Sequence, residues 1–428
     1  MLIHIACDND IHPPMFGATQ RLFGLARGMA TRARVRALCV VPNRSRGARA
    51  EQIAGVELRR VKSWHTSVAW WLERGRLAPL FTAEAGHRLR ADHYRHVLAQ
   101  TESEPGERYP KSELDERYPK REPDERYPKH ELDERYAKQP DILMCDLALT
   151  GMFAGASPAL RVYHAHNVEA QRWQSTAPRV LGRAGWGVRL AALERRAVQE
   201  SDVSVACTEE DAALLRSLHG AREVEVVANG YDETALAPAA PEARQLARRA
   251  LGIPEHAYTA TFVGGDWAPN HDALAWLVQH VMPALAGEGC VLLAVGAVAR
   301  RYAGSREPWL VARPETPDLG SVLAAADVGL NPVTGGGGSN VKVPTYLALG
   351  LAVVSTPFGL RGYAPLSAHV VSAEPESFAD ALRAQPRGWA ARGEAPPTAL
   401  ADYAWGTLGA RLADAFAARS AARAQGAA

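Results

Sequence analysis

No run of about 18 uninterrupted apolar residues occurs in the 428-residue chain, so none of it is expected to cross a bilayer as a helix. Cysteine is scarce: Cys7, Cys39, Cys145, Cys207 and Cys290 are scattered, odd in number and without CxxC spacing. That pattern excludes a structural zinc site. Four of the five sit in apolar, strand-like runs and read as buried, reduced thiols of a cytosolic protein. Net charge is nearly absent too: 49 Lys+Arg against 47 Asp+Glu leaves +2, which offers no basic field for nucleic acid. The start, MLIHIACDNDIHPP, lacks a basic stretch and reaches Asp8 early, so it does not read as a signal peptide.

What is present is ordinary globular composition, 47% hydrophobic and 22% charged, in a chain long enough for two or three domains. LIHIAC, VRALCVV, DILMCDL, LRVYHAH, VSVAC and VEVVAN are short apolar strand candidates. Helical spacing separates them in TQRLFGLARGMATRA, around Val188–Gln199 and in Glu209–Leu218. A second series, YTATFVG, CVLLAVG, WLVAR, VGLNP and LAVVST, follows a Pro- and Ala-rich stretch and alternates with helices such as HDALAWLVQHVMPAL. Strand–helix alternation implies parallel sheets with helices on their faces, and ligands beyond the carboxyl ends of the strands. The expected organisation is α/β: residues 1–231, a linker at 232–254, a second domain at 255–402 and a final helix in 403–428.

Two segments break the rhythm. ERYPK at Glu107, Glu116 and Glu125, and ERYAK at Glu134, repeat every nine residues within the insert 101–140. Nine is neither a helical nor a strand period, and proline interrupts the first three copies. The insert reads as a mobile, charged loop, with partner binding as the alternative. Residues 64–100 mix Trp64, Trp70, Trp71 and Phe81 with Arg74, Arg76 and Arg88. That mixture suits a helix on anionic lipid, a wall of an acceptor cleft, or simply domain core.

The strongest chemical signal is VGLNPVTGGGGSNVKVPTYLALGLAVVSTPFGLRG, residues 328–362. It reads as strand, glycine-rich loop, helix, strand. Without side chains at Gly335 to Gly338, backbone amides can approach an anion. Ser339 or Asn340 is expected to cap the following helix, although Pro344 also suits a first turn, and Gly350 suits its end. Lys342, a cation in the first turn, opposes the helix dipole unless an anion binds there. The Gly-Lys-Ser/Thr ending of a P-loop is missing. Asp8-Asn9-Asp10 follows the first strand and reads as a loop rather than a metal site. His164 and His166 close the strand candidate LRVYHAH and are expected to face opposite sides, with only His166 at the cleft. Glu169 is left as an acceptor-orienting group or a helix cap.

Taken in order, these segments resemble the family 4 glycosyltransferases, retaining enzymes with two Rossmann-like domains facing a cleft, the GT-B architecture. The resemblance covers nearly all of the chain outside the repeats. It is carried by PPMFGATQR (13–21), YHAHNVEAQRW (163–173), VVANGYD (226–232), FVGGDWAPNHDALAWL (262–277), the glycine-rich segment, and YAWGTLGARLADAF (403–416), a late helix that returns to the first domain. It implies His166 as the catalytic histidine at the sugar. As donor-binding residues it implies Gly17, Gly264, Asn270, Gly336, Gly337, Gly338, Ser339, Asn340, Lys342 and Thr345. The implied donor is a nucleotide-diphosphate sugar; the acceptor is a glycan, a lipid-linked molecule or a small molecule, and no metal or other cofactor is expected. A cytoplasmic enzyme of cell-envelope polysaccharide synthesis, in peripheral contact with the inner face of the membrane, fits this picture.

The chain departs from the family pattern at two glutamates spaced eight apart, where it has Gly337 and Thr345. Thr345 offers a ribose one hydroxyl instead of a carboxylate. The Arg/Lys pair common after the first donor-domain strand is also missing from GGDWAPNHDA, which leaves Lys342 and, more weakly, Arg361 for phosphate. These losses keep open a non-catalytic GT-B subunit and a nucleotide-sugar epimerase as alternatives.

Overall fold

The computed structural model describes residues 1–14, 17–42, 48, 50–63, 140–155, 158–176, 183–314, 316, 318–385 and 396–426. Segment 64–100 and the repeats up to residue 139 lie outside the described residues. The first domain is built on an eight-stranded sheet ordered β3-β4-β2-β1-β5-β6-β7-β8. Its strands are β1 (Leu2–Cys7), β2 (Arg34–Pro42), β3 (Ala50–Ile53), β4 (Val56–Ser63), β5 (Ile142–Cys145), β6 (Leu160–His164), β7 (Val203–Ala206) and β8 (Val224–Val226). All pairs are parallel except β3 with β4. Every residue of β1, β5 and β7 is buried, as strands covered on both faces require. All five cysteines are buried and none forms a disulfide, with Cys7 Sγ 3.4 Å from Cys39 Sγ across β1 and β2.

The second domain carries a six-stranded parallel sheet ordered β11-β10-β9-β12-β13-β14. Its strands are β9 (Tyr258–Val263), β10 (Cys290–Val295), β11 (Leu310–Arg313), β12 (Val328–Asn331), β13 (Ala352–Ser355) and β14 (Val371–Ser372). In each sheet the chain runs outward on one side of a central strand and then returns to its other side. The two switch points therefore fall between β1 and β5 and between β9 and β12, and the crevices beyond their carboxyl ends are the places for ligand.

Part of the expected linker is folded. Pro241–Leu251 is a helix framed by Pro241 in its first turn and by Gly252 at φ 68°. Its buried Arg244 and Arg248 clasp Asp327 at 2.5 and 2.8 Å, and Arg248 also holds the carbonyls of Ala325, Glu255 and Ala257. This helix belongs to the second domain; alanine and proline richness obscures its register.

The two domains are joined by paired crossings. Tyr231 and Ala404 form a parallel bridge, with Tyr231 N on Tyr403 O and Trp405 N on Tyr231 O, both at 3.1 Å. After the second crossing, Trp405–Gly426 runs back over the first-domain helix Gly17–Met29. Trp405 lies against Gly24, and Gly409 against Gly28. Trp405, Leu408, Leu412, Ala413 and Phe416 join Leu22, Leu25, Ala26 and Met29 in one core. A Cβ at Gly28 would meet Gly409 Cα at 2.7 Å and Gly406 O at 2.9 Å, so the two backbones need glycine at this crossing. Gly28→Val is expected to destabilise the protein by about 1–3 kcal/mol through overpacking, read as a lower urea midpoint. An unchanged midpoint would show that the last helix does not pack here.

Candidate active site at the domain cleft

On the second-domain side, the chain leaves β9 at Gly264 and β12 before the glycine loop, and both exits lie at the switch point. Lys342 begins the helix Lys342–Ala348 and donates to Asn270 Oδ1 at 2.8 Å and Asn340 Oδ1 at 3.2 Å. The Phe262 ring centroid lies 5.2 Å from its Nζ. Asn270 is held in turn through Nδ2 on Gly265 O, at 3.2 Å. Gly264 packs under Asn270, where a Cβ would come within 3.0 Å of Cγ. Gly264, Asn270, Asn340 and Lys342 thus form one cluster. The partners of Lys342 are neutral, and burial pulls its ammonium down to about 7. The outer face of the loop, at Thr334, Gly335 and Gly336, is one wall of a groove of about 400 Å³ that Pro269, Asp272 and Trp276 also line.

Ser339 and Asn340 do not cap the helix. Its N-cap is Val341, in a helical conformation and without a side-chain bond. Ser339 instead reaches the other domain: its Oγ accepts from Asn229 N at 3.0 Å, and its carbonyl accepts from Asn229 Nδ2 at 2.8 Å. Asn340 Oδ1 is taken by Lys342. Gly350 does terminate the helix, at φ 67°, with Gly350 N on Leu347 O at 3.0 Å. Thr345 is 6% exposed, so it offers a ribose little surface. Arg361 donates to Gly338 O at 2.9 Å and stacks on Phe358, which makes it a brace of the loop.

The facing wall comes from the first domain. Gly17 lies opposite Val341 Cγ2, 3.8 Å from where its Cβ would be. The glycine loop docks on residues 166–167. A Cβ at Gly337 would lie 2.8 Å from Asn167 Oδ1, and one at Gly338 2.8 Å from His166 O. That approach leaves no room for the glutamate of the family pattern at Gly337.

His164 and His166 do not face opposite ways. Positions two apart along a strand share a face, so the period of β6, which ends at His164, already directs both rings to one side. The rings meet edge to face, with centroids 4.6 Å apart. Both approach Asp146 Oδ1, His164 through Nδ1 at 3.3 Å and His166 through Nε2 at 3.2 Å. Burial alone would raise the Asp146 carboxyl, but His166 and His164 outweigh it and hold it at about 2. Burial lowers His164 to about 3, against the pull of Asp146. Arg21, 1% exposed, donates from Nε to His164 Nε2 at 3.0 Å and from Nη1 to Ala228 O and Asn229 Oδ1, both at 3.2 Å.

Asp146, His164 and His166 are close enough together to suggest a metal site. The Arg21 donor argues against it: it occupies the His164 Nε2 lone pair, so the ring proton sits on Nδ1, the nitrogen a metal would need. Asp10 is engaged by Arg60 Nε at 2.6 Å and Asn9 by Asp8, in keeping with a loop. Glu169 opens the helix Glu169–Thr176 and pairs with Arg172 at 2.6 Å. Asp146 and Arg21 are absent from the sequence-derived site. Asp146 ends an apolar strand, and Arg21 lies one turn before Leu25 on a buried helix face, and both are places where a polar group needs a reason.

Paired Rossmann-like sheets, two switch points across a cleft and a returning last helix define the GT-B fold. Solved structures agree over nearly the full length. Sucrose-phosphate synthase from Thermosynechococcus elongatus is 12% identical, with 99% of this chain and 98% of that one covered at a TM-score of 0.62. The catalytic domain of starch synthase IV from Arabidopsis thaliana, bound to ADP and acarbose, is 14% identical, with coverage of 98% and 99% at 0.62. Anabaena HepE in complex with UDP-glucose is 15% identical, with coverage of 99% and 98% at 0.51. Residues 257–385 match the family described as glycosyl transferases group 1. No curated protein matches the chain in sequence. Fold and family match together support a glycosyltransferase of the GT-B class.

Lys342 gives the cleft a measurable pH signature. Below pH 7 it is charged in both folded and unfolded chains, and the full cost of burying the charge is present. Between about 7 and the unperturbed 10.5, the unfolded chain still holds a proton that the folded chain has released, so this group's contribution to stability rises with pH. Above that both are neutral and the cost is gone. Lys342→Met removes the group. The variant's stability gain over wild type in urea titrations is expected to be largest near pH 6–7 and to shrink toward pH 10, and a pH-independent difference would rule out a buried ammonium.

Proposed function

We propose that the protein is a retaining, family 4 glycosyltransferase that moves a sugar from a nucleotide-diphosphate sugar to a hydroxyl acceptor. The observation that carries this reading is Lys342, a cation held by neutral groups at the second-domain switch point. A pyrophosphate supplies the missing counter-charge, and the neighbouring groove gives the donor room. Family match and fold favour the same chemistry, and UDP-glucose and ADP occupy the related structures named above.

In this mechanism Lys342 and the loop amides stabilise the charge that grows on the departing pyrophosphate, with no reorganisation during the reaction. On a front-side path the leaving phosphate accepts the acceptor's proton, so no dedicated protein base is required. His166 positions or polarises a sugar hydroxyl. The Asn229–Ser339 contacts hold the domains together and exclude water, which would otherwise hydrolyse the donor. Acceptors of this reading are a glycan, a lipid-linked molecule or a small molecule, without nucleic acid and without a metal. No helix among the described residues is long and apolar enough to cross a membrane; peripheral contact at the inner face of the membrane, in cell-envelope polysaccharide synthesis, belongs to the same proposal.

A second reading, a donor-binding subunit without turnover, is favoured by one observation: Gly337 and Thr345 occupy the glutamate positions, and Asn167 fills the space beside Gly337. A thermal-shift panel of UDP-, ADP- and GDP-sugars, followed by turnover of the best binder, separates the two. Lys342→Ala is expected to weaken donor binding by about 2 kcal/mol, as loss of a charge-assisted contact does. His166→Ala should lower kcat more than donor affinity. Wild-type donor affinity in Lys342→Ala would remove this lysine from the site. Thr345→Glu places a carboxylate in an enclosed position. It is expected to lower the melting temperature unless a bound donor ribose takes it up, in which case donor affinity rises.

A further inference from the structure

The chain passes between the domains twice, and one side chain ties both crossings to the first domain. Arg27 lies in the last turn of the helix Gly17–Met29. Its Nη1 donates to Asp232 Oδ1 at 2.8 Å and to Thr234 Oγ1 at 3.0 Å, and its Nη2 to Glu233 Oε2 at 2.8 Å. The three acceptors are consecutive residues of the first crossing. Glu233 carries the contact on to the second: its Oε1 accepts from Gly406 N, at 3.1 Å, the second residue of the helix Trp405–Gly426. A first-turn amide has no partner within its own helix, and a carboxylate suits that end of the helix dipole.

Placement sets this group apart from an ordinary surface ion pair. Val227 belongs to the first domain's core, whereas Tyr231 and Leu236 pack against the second. In the return crossing Tyr403 belongs to the second core and Trp405 to the first. Arg27 therefore pins to the first domain a stretch whose flanks are packed on the other one. We propose that Arg27 and Glu233 form a clasp across the hinge that holds the two domains in one orientation before any donor binds. The consequence for the cleft rests on the sugar-transfer reading; the clasp itself does not. The helix that ends near Arg27 begins at Gly17, opposite Val341 of the glycine segment, so orientation at the hinge sets the spacing of the cleft walls. With the clasp released, the binding-competent orientation is only a fraction of the ensemble, and apparent donor affinity falls by that fraction.

The test is double electron–electron resonance on the full chain, without ligand, with spin labels on Val188→Cys and Leu246→Cys. These positions are 69% and 64% exposed, one in each domain, and the five native cysteines are buried. One narrow distance distribution is expected. Arg27→Met and, separately, Glu233→Ala should each broaden it roughly twofold, as the hinge samples further orientations. Arg27→Lys, able to reach fewer of the acceptors, should lie between. Glu233 is partly exposed, so its variant decides if Arg27→Met fails to fold. A broad distribution in the parent, or unchanged widths in the variants, overturns the clasp. Affinity for UDP-, ADP- and GDP-sugars is measured on the same proteins. Broadened distances with unchanged affinity overturn the link to the cleft. Absence of donor binding in the parent defeats the sugar-transfer reading and leaves the distances to decide the clasp.

Discussion

Where the glycine loop passes the first domain, its backbone meets the His166 carbonyl and the Asn167 side chain with almost no space for a Cβ. A Cβ on Gly337 or Gly338 would come within 2.8 Å of Asn167 Oδ1 or His166 O. Such contact fixes the height of one domain above the other, and Asn229 secures it by bonding to both Oγ and the carbonyl of Ser339. Tyr363 adds a third point by donating to Asn229 O at 3.0 Å. The positions of Lys342, His166 and Arg21 relative to one another all follow from this approach. It also leaves little space at Gly337 for the glutamate that the family resemblance would put there.

Charge is distributed unevenly about the cleft. Two cations are enclosed in it, Lys342 on one wall and Arg21 behind the other, and the described partners of each are neutral. Asp146, a buried carboxylate on the first-domain wall, is already shared by two imidazoles. Enclosing a cation among neutral dipoles costs folding free energy unless something binds to it. The molecule carries that cost at the place where both sheets present their switch points.

Much of the fold is legible in the residues, because parallel strands covered on both faces must be unbroken apolar runs such as ILMC and CVLLAV. The β3–β4 hairpin is harder to see: AEQI is the edge strand and VELRRVKS its charge-rich neighbour, and their pattern competes with that of a surface loop. Of the site, Lys342, Asn270 and the glycine loop are readable because glycine and a first-turn lysine each break a local rule. The expectation that His164 and His166 face opposite sides fails on the strand's own period, since positions two apart share a face, and their rings lie 4.6 Å apart. Ser339 has the chemistry of a cap but is used across the domain boundary. Nothing local in SNVK signals that a partner over a hundred positions earlier, Asn229, will take it.

The returning helix has a consequence for how the chain is made. The first domain's sheet is complete in sequence by Val226, yet one face of its core is closed by Trp405, Leu408, Leu412 and Phe416. On a ribosome adding roughly 5–20 residues per second, that face waits on the order of 10–40 s for its cover. During that interval Leu22, Leu25 and Met29 have no final partner, and the nascent first domain is an attractive client for a chaperone. A chain cut short before Trp405 would keep the second domain's sheet intact and leave the first domain's core open.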